Sequence, residues 1–373
     1  MKNILLLVMS FFFISCSRSD EDATSERNFD NHFISKSQVL TILNDKNFAH
    51  KFSAVSEQGK MVSKEISNLQ TVTDNGEAVY YIANYQGGGF VIISADNRLD
   101  PILALSEENT FNYSSAKLQS GIGMWLNLQT EAVNYVRNNN IAQTDIVERA
   151  WDGLSSIAPE EPESGSSVTY LDAFTTTQWG QNDTYNDYTP IKSGCSNRSP
   201  TGCVPTAMAQ IMKYNQYSSI NNYNWSLMPD GSGTSETSRL MSDIGVAVNT
   251  SYGCGSSGTN EDYIKNGFSH FGYTNAQKTS TLIINWIIND LSINKPVILC
   301  GGSGSTRHAW VCDGYYHYRE WGPEGGWSFQ LFRMNWGFRG DYNGYFSLTN
   351  LNIDGNNLNS NLVLFYNLYH LPL

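Results

Sequence analysis

Thr201-Gly202-Cys203-Val204-Pro205-Thr206-Ala207-Met208-Ala209-Gln210-Ile211-Met212-Lys213-Tyr214 sets a cysteine at the mouth of a helix. Gly202 permits close approach of another chain segment, Pro205 suits a first helical turn, and Ala207, Ile211 and Tyr214 recur at helical spacing. A thiol at that position faces unpaired backbone N–H groups and the positive end of the helix dipole. Such sites favour thiolate and bring a cysteine pKa from about 8.5 into a range of roughly 3.5–7.5. Cys203 therefore reads as a nucleophile. The alternative is a small buried core residue, the role of most lone cysteines, so the decision falls to the rest of the chain.

The 373 residues suffice for two domains with separate cores. With 13% aromatic and only 16% charged residues, the composition suits a compact, strand-containing exported protein rather than a disordered one. A net charge of −12 argues against nucleic acid or an anionic membrane surface as partner, because both need a basic face. The N-terminus has Lys2, an apolar run from Ile4 to Ile14 too short to span a bilayer, then Ser15-Cys16 and an acidic, Ser-rich stretch. This resembles a bacterial lipoprotein signal, with Cys16 as the lipidated residue; an ordinary secretory signal is the alternative. Either way the protein is exported, and a lipid on Cys16 is its expected tie to a membrane.

Six cysteines in an exported chain invite a parity count. Without Cys16 and Cys203, Cys195, Cys254, Cys300 and Cys312 remain. Cys195 and Cys254 lie in Gly/Ser-rich loops where a staple is useful, so a Cys195–Cys254 disulfide is expected. Cys300 and Cys312 lie in apolar strand-like runs, where buried free thiols are an equal alternative.

The expected organisation is a signal over 1–16, an acidic tether over 17–33, an α+β domain over 34–150, a linker over 151–168 and a second domain over 169–373. In the first domain Ser35 or Ser37 caps a helix bearing Val39, Leu40, Ile42 and Leu43. Strands follow at 78–85, 90–94 and 102–105, then a helix with Leu118, Ile122, Trp125, Leu126, Ala132, Val133 and Val136 on its apolar side. No residue pattern there carries chemistry. Residues 152–168 combine Pro, Glu, Ser and Gly, a composition that resists packing and leaves the backbone open to proteolysis.

Every plausible partner for Cys203 lies in the second domain. A thiolate needs an imidazole to hold it and to protonate the leaving group. His308 opens an alternating strand, His-Ala-Trp-Val-Cys-Asp-Gly-Tyr-Tyr, after the glycine loop 301–305. His270, His317 and His370 have weaker contexts: a helix end, a polar strand end and the tail. An imidazole needs an orienting group, and Asn335-Trp336-Gly337 supplies an amide and a shielding indole. The Cys203 N–H is one oxyanion donor; Gln181, upstream in Gln178-Trp179-Gly180-Gln181, is the candidate for the second.

Taken together, Trp179-Gly180-Gln181, Thr201-Gly202-Cys203 with its helix, His308-Ala309-Trp310-Val311-Cys312-Asp313-Gly314-Tyr315 and Asn335-Trp336-Gly337 resemble the streptopain family of cysteine peptidases. Gly89-Phe90-Val91-Ile92-Ile93-Ser94-Ala95-Asp96 is similar to that family's propeptide. The resemblance implies an α+β, papain-like fold in which a helical part carrying the cysteine packs on an antiparallel β part carrying the histidine. It also implies a zymogen whose N-terminal domain acts as an intramolecular inhibitor, and cofactor-free endopeptidase action on protein or peptide substrates through a thioester. By position, Cys203 is the nucleophile, His308 the general acid/base, Gln181 the oxyanion donor, and Asn335 or Trp336 the support of the histidine. Three positions depart from the family pattern. Thr306-Arg307 replaces Gly-Gly before the histidine, so that a like charge is expected to depress it; Phe338-Arg339 replaces Trp-Gly; and Pro205 replaces Ala. A Cys–His transamidase and a non-catalytic binding module on a peptidase scaffold are the competing readings.

Overall fold

The runs at 78–85, 90–94 and 102–106 are apolar with little polar alternation, as expected of strands covered on both faces. The computed structural model describes residues 31–45, 53–55, 61–155, 166–302, 307–322, 325–349, 352–353, 355–358 and 361–370. Expectations about the signal, Cys16, most of the tether and residues 156–165 lie outside these. In the N-terminal unit β1 (Ile66–Asp74), β2 (Glu77–Tyr85), β3 (Phe90–Ser94) and β4 (Ile102–Ser106) form an antiparallel meander, and β3 and β4 are buried throughout.

The C-terminal unit contributes β5 (Ser166–Leu171), β6 (Gln277–Thr279), β7 (Val297–Gly301), β8 (His308–Gly322), β9 (Gly325–Asn335), β10 (Gly344–Phe346) and β11 (Val363–Tyr366). All eleven strands join one sheet in the order β6-β11-β7-β8-β9-β10-β4-β3-β2-β1, with β5 pairing β8 beyond the end of β7. The two units therefore share a sheet, and their junction is β10 on β4, with Tyr345 opposite Leu105 and Phe346 opposite Ala104. The Ser347 N–H extends it by donating to the Leu103 carbonyl at 2.7 Å.

Helices cover both faces. On one side α1 (Lys36–Asn44) and α3 (Asp145–Ser155) pack with strand residues of both units, among them Val91, Ile93, Phe329 and Leu331. Ser35 is the N-cap of α1, in a capping box with Gln38. On the other side α2 (Ser120–Asn138) lays Ile122, Trp125, Ala132 and Val133 over the sheet. Trp125 crosses the unit boundary: its Nε1–H donates to the Ser347 carbonyl at 2.9 Å and its ring meets Phe346 edge-on at 5.0 Å. A separate core holds α4 (Cys203–Asn215), α5 (Ser235–Ala247) and α6 (Asp262–His270) against the far end of the sheet. Along β8 the side chains alternate, Ala309 and Val311 facing α4 while Trp310 and Cys312 face α2.

Two expectations change. Leu118 is 79% exposed, because it precedes α2 rather than lying on its apolar side. The linker also begins later than composition suggested: α3 continues to Ser155, with Trp151 and Leu154 buried and Trp151 Nε1–H bonded to the Leu99 carbonyl at 2.9 Å. Its amphipathic pattern prevails over the polar residues that follow it. Cys195 and Cys254 form a disulfide, while Cys300 and Cys312 are free and buried.

Because Trp125 contributes both packing and a hydrogen bond at the boundary, Trp125→Ala is expected to destabilise the full-length chain by about 3–5 kcal/mol. Urea unfolding measures this; an unchanged midpoint and slope would contradict the assigned junction.

Candidate active site

Cys203 owes its position to two backbone constraints. Gly202, the N-cap of α4, has φ +90°, and a Cβ there would lie 3.1 Å from the Ser257 carbonyl oxygen. Only glycine meets both conditions without strain. Thr206 closes the first turn by donating from Oγ1 to the Gly202 carbonyl at 2.9 Å. Pro205 falls inside this turn, where its missing N–H costs no helical bond.

The Cys203 thiol is half-buried and receives backbone N–H groups from Ala309, Val204 and Cys203 itself. These favour thiolate, yet burial outweighs them and pushes the thiol up from its ordinary value. The lowered value expected from the helix terminus is therefore not realised in this state of the chain.

His308, the first residue of β8, pairs with Gly301 of β7. Its Nε2 lies 2.8 Å from the Trp336 carbonyl oxygen. A carbonyl only accepts, so Nε2 carries the proton and Nδ1 is the free base nitrogen. Phe338 stacks on the imidazole at a centroid distance of 4.9 Å, and the Trp310 ring lies nearly parallel to it at 6.2 Å. The remaining cover comes from the N-terminal unit: a Cβ on Gly121 of α2 would lie 2.6 Å from His308 Cδ2. Burial pushes the His308 pKa down to about 4, against the raising effect of the Trp336 bond. Cys203 and His308 line the same cavity of about 450 Å³, but no hydrogen bond joins them. Thiol and neutral imidazole thus share a cavity without forming an ion pair.

The orienting group is the Trp336 backbone carbonyl rather than an Asn335 amide. Asn335 instead donates from Nδ2 to the Thr177 carbonyl at 2.7 Å and accepts the Gly337 N–H at 3.3 Å, tying β9 to the segment before Trp179. Trp336 is itself held by Asn343, whose Oδ1 accepts the Trp336 N–H at 3.1 Å. Gln181 accepts the Thr201 N–H on its carbonyl at 2.9 Å, two residues before the nucleophile. Its side-chain amide has no partner among the described residues. Arg339 has φ +59°, stands against Gly180 and pairs with Asp183, so it braces the Gln181 segment.

Arg307 does not act on His308 as expected. Its Nη2 and Nε reach Glu261 Oε2 at 2.6 and 2.8 Å, and Nη1 reaches the Gly302 carbonyl at 2.8 Å. The charge is matched by Glu261, and burial lowers the His308 pKa. Sequence reading also missed Gly121, Asn343 and Glu261. Gly121 had a signal: two glycines in one helical turn, Gly121 and Gly123, cost about 1 kcal/mol each relative to alanine and call for a close packing partner.

A cysteine on a helix terminus and a strand-borne histidine lining one cavity fit a papain-like cysteine peptidase fold. The Peptidase C10 family profile matches residues 179–220 and 216–346, and a Spi protease inhibitor profile matches residues 34–133. The C-terminal unit thus resembles the Peptidase C10 family over residues 179–346, and an inhibitor-type domain precedes it over residues 34–133. Streptopain of Streptococcus pyogenes is 27% identical over 364 residues, spanning 82% of this chain and 83% of streptopain. The thiol protease/hemagglutinin PrtT of Porphyromonas gingivalis is 27% identical over 320 residues; the match spans 74% of this chain but only 34% of PrtT. Prevotella intermedia prointerpain A has the same fold, with a TM-score of 0.61 at 22% identity over 82% of this chain and 99% of that one.

Two pH responses follow for the full-length chain. Iodoacetamide alkylation of Cys203 should be slow at neutral pH and rise only above the ordinary thiol range; a fast plateau at pH 6 would contradict the raised thiol. His308 has an ordinary value of 6.5 and a folded value of about 4. The unfolded chain therefore binds the proton first, and stability present above pH 6.5 is lost as pH falls towards 4, by about 3 kcal/mol. His308→Gln should remove this part of the acid sensitivity in urea titrations; an unchanged pH profile would contradict it.

Proposed function

We propose that this chain is the precursor of a cysteine endopeptidase that cleaves protein substrates through a thioester on Cys203. The observation that carries this reading is the cavity lined by both Cys203 and His308, the tautomer of His308 being set by the Trp336 carbonyl. In the reaction His308 Nδ1 takes the thiol proton and Sγ attacks the peptide carbonyl carbon. The oxyanion accepts the Cys203 N–H and the Gln181 amide, donors whose removal typically costs 10²–10³ in kcat. The imidazolium, held through Nε2–H by Trp336, then protonates the leaving amine, and a water deprotonated at Nδ1 hydrolyses the thioester.

Latency has a physical cause in this scheme. Gly121 of α2 covers His308, so that the imidazole cannot carry charge and the thiol has no cation to stabilise it. Cleavage between α3 and β5, within 156–165, frees α2 to leave; the imidazole gains solvent and the ion pair becomes accessible. Export, with a lipid on Cys16, fits the N-terminal sequence, and cleavage at that joint leaves the anchor on the inhibitory part.

In the chain cut between α3 and β5, Cys203→Ala should lower casein hydrolysis by roughly 10³-fold or more and abolish labelling by the epoxide E-64. Gln181→Ala should lower kcat by about 10²-fold with little change in KM. Retained hydrolysis in Cys203→Ala would overturn the reading, and a Gln181→Ala enzyme altered only in KM would remove that residue from the oxyanion site.

A further inference from the structure

Peptide hydrolysis leaves one neighbour of Cys203 without a role. Cys300 of β7 stands opposite Ala309 of β8, and the Ala309 N–H is a donor to the Cys203 sulfur. Alternation turns Cys300, Ala309 and Val311 towards α4, into the apolar cluster against which Cys203 packs. The two cysteines line the same cavity, and they are close enough for charge on one to act on the other. The other cysteines of the catalytic part are not placed for this: Cys312 faces α2 on the opposite side of β8, and Cys195 is bonded to Cys254. Cys300 is only 2% exposed and burial holds it protonated. On its own it is inert, and it gains chemistry only when an electrophilic sulfur forms beside it.

We propose that Cys300 is the resolving thiol for oxidised Cys203. A hydroperoxide oxidises the Cys203 thiolate by two electrons to the sulfenic acid, its O–O bond breaking and the second oxygen leaving as water or alcohol. Cys300 Sγ then attacks the Cys203 sulfur. A Cys203–Cys300 disulfide forms, the S–OH bond breaks, and hydroxide leaves with the Cys300 proton as water; His308, in the same cavity, is the base that carries this proton. The disulfide blocks the nucleophile but halts oxidation before the irreversible sulfinic and sulfonic acids. Two equivalents of an external thiol reverse it, restoring both cysteines and leaving as a disulfide.

The inference rests on Cys203 being the reactive thiol of the proposed site, and its test is read by mass rather than by peptide hydrolysis. The full-length chain is treated with hydrogen peroxide at mildly alkaline pH, its free thiols are blocked, and it is digested. The expected product is a Cys203–Cys300 linked peptide, with the mass lowered by two hydrogens and Cys312 still free. Dithiothreitol should restore iodoacetamide labelling of Cys203 to its starting level. In Cys300→Ala, and in the closer-sized Cys300→Ser should the first variant fold poorly, Cys203 should gain oxygen atoms and lose recoverable labelling. Cys203 alkylation without a linked peptide in the parent chain, or full recovery in a folded Cys300 variant, would overturn the proposal alone. A Cys203 that resists both iodoacetamide and peroxide would contradict the proposal and the site reading together.

Discussion

The bond from His308 Nε2–H to the Trp336 carbonyl, under the backbone of Gly121, is the constraint on which the rest of the structure depends. It fixes which nitrogen is the base and which surface the N-terminal unit must cover. Even a methyl group on residue 121 would collide with the ring, so α2 and the imidazole fit only as a pair. The cover is steric, but its consequence is electrostatic: a buried imidazole stays neutral, and a thiol without a neighbouring cation stays protonated.

β8 makes this arrangement possible by presenting two different faces. Ala309 and Val311 support the core that carries Cys203, while His308 and Trp310 lie towards α2. Because β10 pairs directly with β4, the inhibitory unit is joined to the catalytic one through backbone hydrogen bonds as well as through side chains. Trp125 bonded to Ser347, Asn109 to the Asn343 carbonyl and Thr349 to Asp100 run along the same junction. Asn343 also holds Trp336, so the junction continues to the group that orients the histidine.

Much of this was legible in sequence where the determinants are local. The helix at Cys203 follows from its spacing, the strand at His308 from alternation, and the Cys195–Cys254 pairing from parity and loop composition. What was not legible depends on partners distant in the chain. Thiol protonation turns on burial, which a helix-terminus argument does not include. The choice of Trp336 over Asn335 as the histidine's support involves a backbone carbonyl, which leaves no mark in the residue type. Arg307 reads as a free charge until Glu261, 46 residues away, is found against it.

The central claim is that the covered imidazole is neutral and protonated at Nε2. Nitrogen-15 NMR of the imidazole in the full-length Cys203→Ala and parent chains tests it most directly. At pH 6, below the ordinary histidine value of 6.5 and above the folded value of about 4, the account predicts a neutral ring with its proton on Nε2 in both. An imidazolium in the parent chain that becomes neutral in Cys203→Ala would show a thiolate–imidazolium pair already formed beneath α2, and would contradict the account.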